Sequence, residues 1–192
     1  IIPLGAWILR EALRHIKLWD DMGLPKISVA VNLSAIQFQQ EDLAGSIEKI
    51  LNESGVSPDR LELELTESVV MQDARKADNS LSRIGIKLAI DDFGTGYSSL
   101  SYLKRFDVDR LKIDQSFVRD MTNNYDDAEI ARAIINLGHT LGLEIVSEGV
   151  ETKEQLELLK QQGCDVIQGY LISRPIPAAE IPAFLKKEKF YE

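Results

Sequence analysis

Apolar and polar residues follow two alternating periods along this chain. Leu4, Ile8, Ala12, Ile16 and Trp19 recur at helical spacing, which predicts a helix over 3–22 stopped by Gly23. A short apolar run over 27–33 then predicts a strand. The same exchange of periods continues to the end. Helices are expected over 43–51, 73–84, 100–106, 126–141, 152–162 and 178–187; strands over 61–65, 88–90, 110–114, 144–150 and 166–170. Ser98 or Ser99 can cap the helix near Leu100, and Thr152-Lys-Glu-Gln155 has capping-box form.

Six strands alternating with seven helices through short connections predict a parallel sheet covered by helices. An open doubly wound sheet and a closed (β/α)8 barrel both fit that pattern. There is no glycine-rich dinucleotide fingerprint after the first strand, and polar residues recur at the carboxyl end of every strand. Both features favour the barrel. A barrel has eight strands and typically about 250 residues. The expected class is therefore α/β, a TIM-type barrel incomplete at its N-terminus, with residues 1–192 forming one domain.

Composition narrows the chemistry. The 192 residues are 44% hydrophobic and 28% charged, as expected of one globular core, and carry a net charge of −9. That charge argues against polymeric nucleic acid and against an anionic membrane surface as partners. No apolar run approaches the roughly 20 residues that span a bilayer, and no signal peptide is visible. The lone Cys164 excludes an internal disulfide, fits a reducing cytoplasm and reads as a packing residue.

The strand ends carry the candidate chemistry. They offer Asn32; Glu64 with Glu67 beyond it; Asp91 and Asp92; Lys112 and Asp114; Glu148 with Glu151 beyond it; and Gln168. On one rim of a parallel barrel these carboxylates would repel one another unless cations joined them. An oxygen ligand set suits Mg2+ or Mn2+ rather than Zn2+, and neither His15 nor His139 lies at a strand end. Metal ions beside a lysine suggest hydrolysis of a phosphoester. Lys112 could hold the attacking water, offset phosphate charge, or simply pair with a neighbouring acid; its spacing does not choose.

Several motifs together resemble the EAL domain of cyclic-di-GMP phosphodiesterases. They are Val31-Asn32-Leu33-Ser34, Glu64-Leu65-Thr66-Glu67-Ser68, Asp91-Asp92-Phe93-Gly94-Thr95-Gly96-Tyr97-Ser98-Ser99-Leu100, Lys112-Ile113-Asp114, Glu148-Gly149-Val150-Glu151 and Gln168-Gly169-Tyr170. The resemblance implies hydrolysis of cyclic di-GMP to linear pGpG with two Mg2+ or Mn2+ ions. It implies Asn32, Glu64, Asp91 and Glu148 as metal ligands, Asp92 on the second ion, and Lys112 as the residue that positions the attacking water. Glu67 resembles the acid that steadies the loop after Asp92. Asp114, Gln168, Glu151 and Pro175 are implied on the substrate side, Pro175 in a segment that closes over a guanine. A homodimer, an upstream sensor or GGDEF-type domain, and a cytoplasmic location, alone or as the cytoplasmic part of a membrane-anchored protein, are implied as well.

Two departures qualify this expectation. The Glu-Ala-Leu motif that names the family belongs on a first strand, whereas Glu11-Ala12-Leu13-Arg14 falls in the middle of the first helix, so Glu11 reads as a solvated helix residue. Ser147 also stands where the family usually has alanine. The first departure keeps two other readings open. One is a domain of this type that binds cyclic di-GMP without cutting it; the other is a folding remnant that completes its barrel from another chain.

Overall fold

The structure, a computed structural model, describes residues 1–72, 80–96, 103 and 106–187. Its strands are Val29–Asn32 (β1), Leu61–Thr66 (β2), Lys87–Phe93 (β3), Arg110–Ile113 (β4), Glu144–Ser147 (β5) and Val166–Ile167 (β6). They form one parallel six-stranded sheet in sequence order, curled into part of a barrel. Helices lie on the outer, convex side, as the alternation of periods requires.

Side-chain alternation sorts each strand into two faces. Leu61, Leu63, Leu65, Leu88, Ile90, Leu111, Ile113 and Ile145 point outward and join the core beneath the helices. Each such aliphatic side chain contributes about 1.5–3 kcal/mol by leaving water. Ser147 shares this outer parity and is fully buried. The intervening positions, Glu62, Glu64, Ala89, Asp91, Arg110, Lys112 and Val146, belong to the concave face. One face of the sheet thus supplies the core, and the other collects charge.

The first helix, Ile2–Asp21, buries Gly5, Leu9, Leu13, Ile16 and Trp19. Leu4 and Ile8, expected on the buried face, are 51% and 39% exposed. The reason is Gly5. A Cβ there would sit 1.8 Å from the Gln37 Nε2, so the helix packs through its glycine and turns the flanking apolar residues outward. Gln37 belongs to the short helix Ala35–Phe38, which the periodicity did not reveal; Ser34 and Gln37 close it with a capping box.

Other boundaries shift in explicable ways. The fifth and sixth strands stop at Ser147 and Ile167, short of the expected 150 and 170, although the Glu148 amide still donates to Ile113 O at 3.1 Å. Residues 115–119 form a further helix, Gln115–Arg119, which Asp114 caps through the Ser116 amide. The Thr152–Gln155 capping box forms as expected, and the last helix is Ile181–Leu185 rather than 178–187. Of the helix expected over 73–84 only Ser80–Ile84 is described; that over 100–106, with its Ser98 or Ser99 cap, lies outside the described residues apart from Leu103 and Phe106.

Candidate active site

Lys112 is the centre of the concave face. It projects from β4 and is 3% exposed. Its Nζ donates to Glu64 Oε1 at 2.7 Å, to Glu148 Oε1 at 2.7 Å and to Asp91 Oδ1 at 3.0 Å. Three carboxylates from three places in the sequence therefore converge on one ammonium. Burial opposes its charge, but the hydrogen bonds to Glu148, Glu64 and Asp91 outweigh burial and raise its pKa above the ordinary lysine value. Burial pushes the Glu148 carboxyl up, and Lys112 partly restrains it.

The paired acids depend on a bulge. Ile90 pairs with Leu111, yet the next pairing joins Phe93 to Ile113, so β3 spends three residues where β4 spends two. Asp92 is the inserted residue and takes φ 54°, a conformation that aspartate tolerates better than most residues. In a regular strand Asp91 and Asp92 would face opposite sides. Here oxygens of Asp91, Asp92 and Glu148 all lie within 4.8 Å of one another. Burial, then the charges of Asp91 and Asp114, push the Asp92 carboxyl above its ordinary value.

The surrounding loops are fixed by their own contacts. Glu67 is 3% exposed, and its Oε2 accepts the Gly94 amide at 3.0 Å, tying the turn after Asp92 back to the end of β2. Gln168 accepts the Val150 amide at 3.1 Å on its carbonyl, and its own amide donates to Ser147 O at 2.8 Å. Gly169 passes so close to Val150 that a Cβ would lie 2.1 Å from its carbonyl oxygen. Only glycine allows this crossing, which explains the glycine within Gln-Gly-Tyr on physical grounds.

The expected residues are thus partly assembled. Glu64, Asp91, Asp92, Lys112 and Glu148 meet. Asn32 is in register with Glu64 on the neighbouring strand and is exposed at the sheet edge. Gln168 lines a cavity of about 330 Å3 together with Glu62, Glu64, Arg110 and Lys112. Pro175 lines an adjoining cavity of about 340 Å3 with Tyr170, Arg174 and Phe184, where the Arg174 guanidinium lies 4.4 Å from the Tyr170 ring centre. Glu151 is exposed just after the fifth strand. Asp114 caps the helix that follows it, and its charge is one of those that push the Asp92 carboxyl up.

Residues outside the site behave as read. Glu11 accepts from Arg14 on the first helix, at 2.8 Å from its Nη2. His139 pairs with Asp165 at 2.8 Å, and His15 stacks on Trp19. Cys164 is partly buried, and burial pushes its thiol up, away from the reactive thiolate. The periodicity reading missed Glu62, Arg110 and Ala89 on the concave face. The signal was available: Glu62-x-Glu64 and Arg110-x-Lys112 both carry charge at strand period.

A family model described as EAL domain matches residues 1–175. The chain is 46% identical over 186 residues to the Pseudomonas aeruginosa protein named bifunctional diguanylate cyclase/cyclic di-GMP phosphodiesterase MucR, covering 95% of this chain and 27% of that protein. It is 41% identical over 193 residues to cyclic di-GMP phosphodiesterase NbdA of the same species, covering 99% of this chain and 25% of NbdA. The chain spans about a quarter of the length of these curated relatives. In structure it resembles the MucR phosphodiesterase in its c-di-GMP complex, with a TM-score of 0.87, 46% identity, and coverage of 94% of this chain and 74% of that one. It also resembles Klebsiella pneumoniae BlrP1 in a manganese/cy-diGMP complex, with a TM-score of 0.75, 35% identity, and coverage of 88% and 45%.

Proposed function

The chain belongs to the EAL domain family, and from that premise we propose that it hydrolyses cyclic di-GMP to linear pGpG using two divalent cations, Mg2+ or Mn2+. The observation that carries this reading is the convergence of Glu64, Asp91 and Glu148 on one positive charge, with Asp92 brought beside them by the bulge. The donor set is all oxygen, and the Lys112 ammonium sits among three of its members as a cation would. The residues therefore fit hard divalent ions.

Asn32, Glu64, Asp91 and Glu148 would hold one ion and Asp92 the second. Bound there, such ions would supply Lewis acidity, polarising the phosphodiester and making a water a stronger nucleophile at neutral pH. The protein's own residues do the rest. Lys112 is held charged by its partners; with Glu64, Asp91 and Glu148 turned to the ions, an N–H that they now accept would donate to the attacking water and orient it. Glu67 holds the Gly94 amide and so keeps the Asp92 turn in place. Gln168, Asp114, Glu151 and Pro175 meet the dinucleotide. Residues 1–192 act as one barrel domain, partial at the N-terminus, working in the cytoplasm, as a homodimer, within a longer multidomain signalling protein. No described helix is long and apolar enough to cross a membrane.

The test is product chromatography after incubation of the chain with cyclic di-GMP and Mn2+. The expected product is pGpG, absent with Asp91→Asn under conditions where circular dichroism shows the same fold. Turnover retained by Asp91→Asn contradicts the assignment. Tight binding without turnover in the unsubstituted chain turns the reading to a receptor of the same nucleotide.

A further inference from the structure

Two acids face two cations across β3. Glu62 and Glu64 stand two residues apart on the concave face of β2, and Arg110 and Lys112 do so on β4. Backbone register does not decide which pairs with which. Through Ala89, Arg110 is level with Glu64, not with Glu62. The side chains nevertheless pair the other way. Arg110 Nη1 donates to Glu62 Oε2 at 2.7 Å, and its Nε donates to Glu144 on β5. Lys112 takes Glu64, Asp91 and Glu148. Ala89, fully buried on the intervening strand, is small enough for both cations to reach across it.

This makes two charged layers, one above the other. Glu62 is 4% exposed, and a buried carboxylate without a cation of its own is strongly unfavourable. The layers are about 7 Å apart along the strand, within reach of a lysine's four-carbon stem. The guanidinium fork holds two acids at once in fixed directions, which a single ammonium does not.

We propose that Arg110 is a positioning residue: by occupying Glu62 and Glu144 it denies Lys112 the lower acid and keeps the ammonium in the upper layer with Glu64, Asp91 and Glu148. The kinetic consequence rests on the hydrolase reading above; the place of Lys112 does not, so the two are tested apart.

The experiment is 15N-edited NMR of the lysine side-chain ammonium groups in the metal-free chain, with Lys112→Met identifying the Lys112 signal. R110Q should displace that signal, and E62Q/R110Q, which removes the competing charge, should return it to its original place. At saturating Mn2+ and across a range of cyclic di-GMP concentrations, R110Q should lose about tenfold or more in kcat with little change in KM, and the double variant should regain most of it. An unmoved Lys112 signal in R110Q overturns the proposal. So does a displaced signal in E62Q/R110Q, which leaves no buried charge unpaired and serves where R110Q alone does not fold. If the signals behave as stated but the unsubstituted chain makes no pGpG, the hydrolase reading fails and the role of Arg110 stands.

Discussion

Lys112 and Glu64 lie on strands that are not paired with each other, yet the ammonium and the carboxylate are 2.7 Å apart. β3 runs between them, and the contact exists because the sheet is curled and the residue beneath it is Ala89. Curvature, a small residue and a cation together bring acids from separate strands to one point.

Removing the cation should expose what it offsets. Lys112→Met leaves Glu64, Asp91 and Glu148 facing one another with little water. The metal-free chain should lose about 3 kcal/mol or more, as when one partner of a buried ion pair is deleted. Mn2+ should then raise the melting temperature of Lys112→Met more than that of the unsubstituted chain, because ligand binding to the folded state stabilises it. Equal shifts would contradict the shared use of these acids.

The crossing point should be sensitive to volume. Ala89 is fully buried, and Ala89→Leu would place a branched side chain where Arg110 and Lys112 pass. An overpacked site of this kind costs about 1–3 kcal/mol. Urea unfolding should show that loss, together with weaker Mn2+ binding. Full stability would show that the cations do not need the space.

Gly169→Ala tests the approach to Val150 of the segment that follows β6. The new methyl would meet the Val150 carbonyl oxygen and nitrogen at 2.1 and 2.3 Å, and backbone cannot move aside cheaply. The two hydrogen bonds that bracket the crossing, Val150 to Gln168 O and Leu171 to Val150 O, should open. Amide exchange at Val150 and Leu171 should accelerate, with a loss of about 1–3 kcal/mol. Unchanged protection there would refute the crossing.

Acid sensitivity has a sign. Burial raises the folded-state pKa of Glu148, so the folded chain holds that proton more tightly than the unfolded chain does. Its contribution to stability therefore declines as pH rises from the unfolded value of about 4.3 through the raised folded value. Glu148→Gln lacks this titration. In metal-free buffer its stability relative to the unsubstituted chain should improve with pH across that window. A relative stability that worsens would reverse the assigned shift.

Much of this architecture was legible in the sequence because period and chemistry agreed. The apolar run Leu88-Ala-Ile90 marked β3, and strict alternation of apolar and charged residues marked β2 and β4, since one face of each strand is buried in the core and the other carries charge. Glu64, Asp91, Lys112 and Glu148 were found because charge at the end of such a run is conspicuous. The bulge at Asp92 was not legible; nothing in Asp91-Asp92 states that one of them takes a positive φ. Helix packing at Gly5 misled for a different reason. Leu4 and Ile8 look like core, and only the closeness of Gln37 shows that the glycine is the buried residue. Arg110 and Glu62 were overlooked because their meaning depends on a partner two strands away.

The central claim is that these strand-end acids bind divalent ions. The most direct measurement is titration of the chain with Mn2+, following the loss of the free-ion electron paramagnetic resonance signal, beside Asp91→Asn. Two ions bound per chain, with Asp91→Asn losing at least one of them, is the predicted result. No binding by the unsubstituted chain, or equal binding by Asp91→Asn, would contradict it.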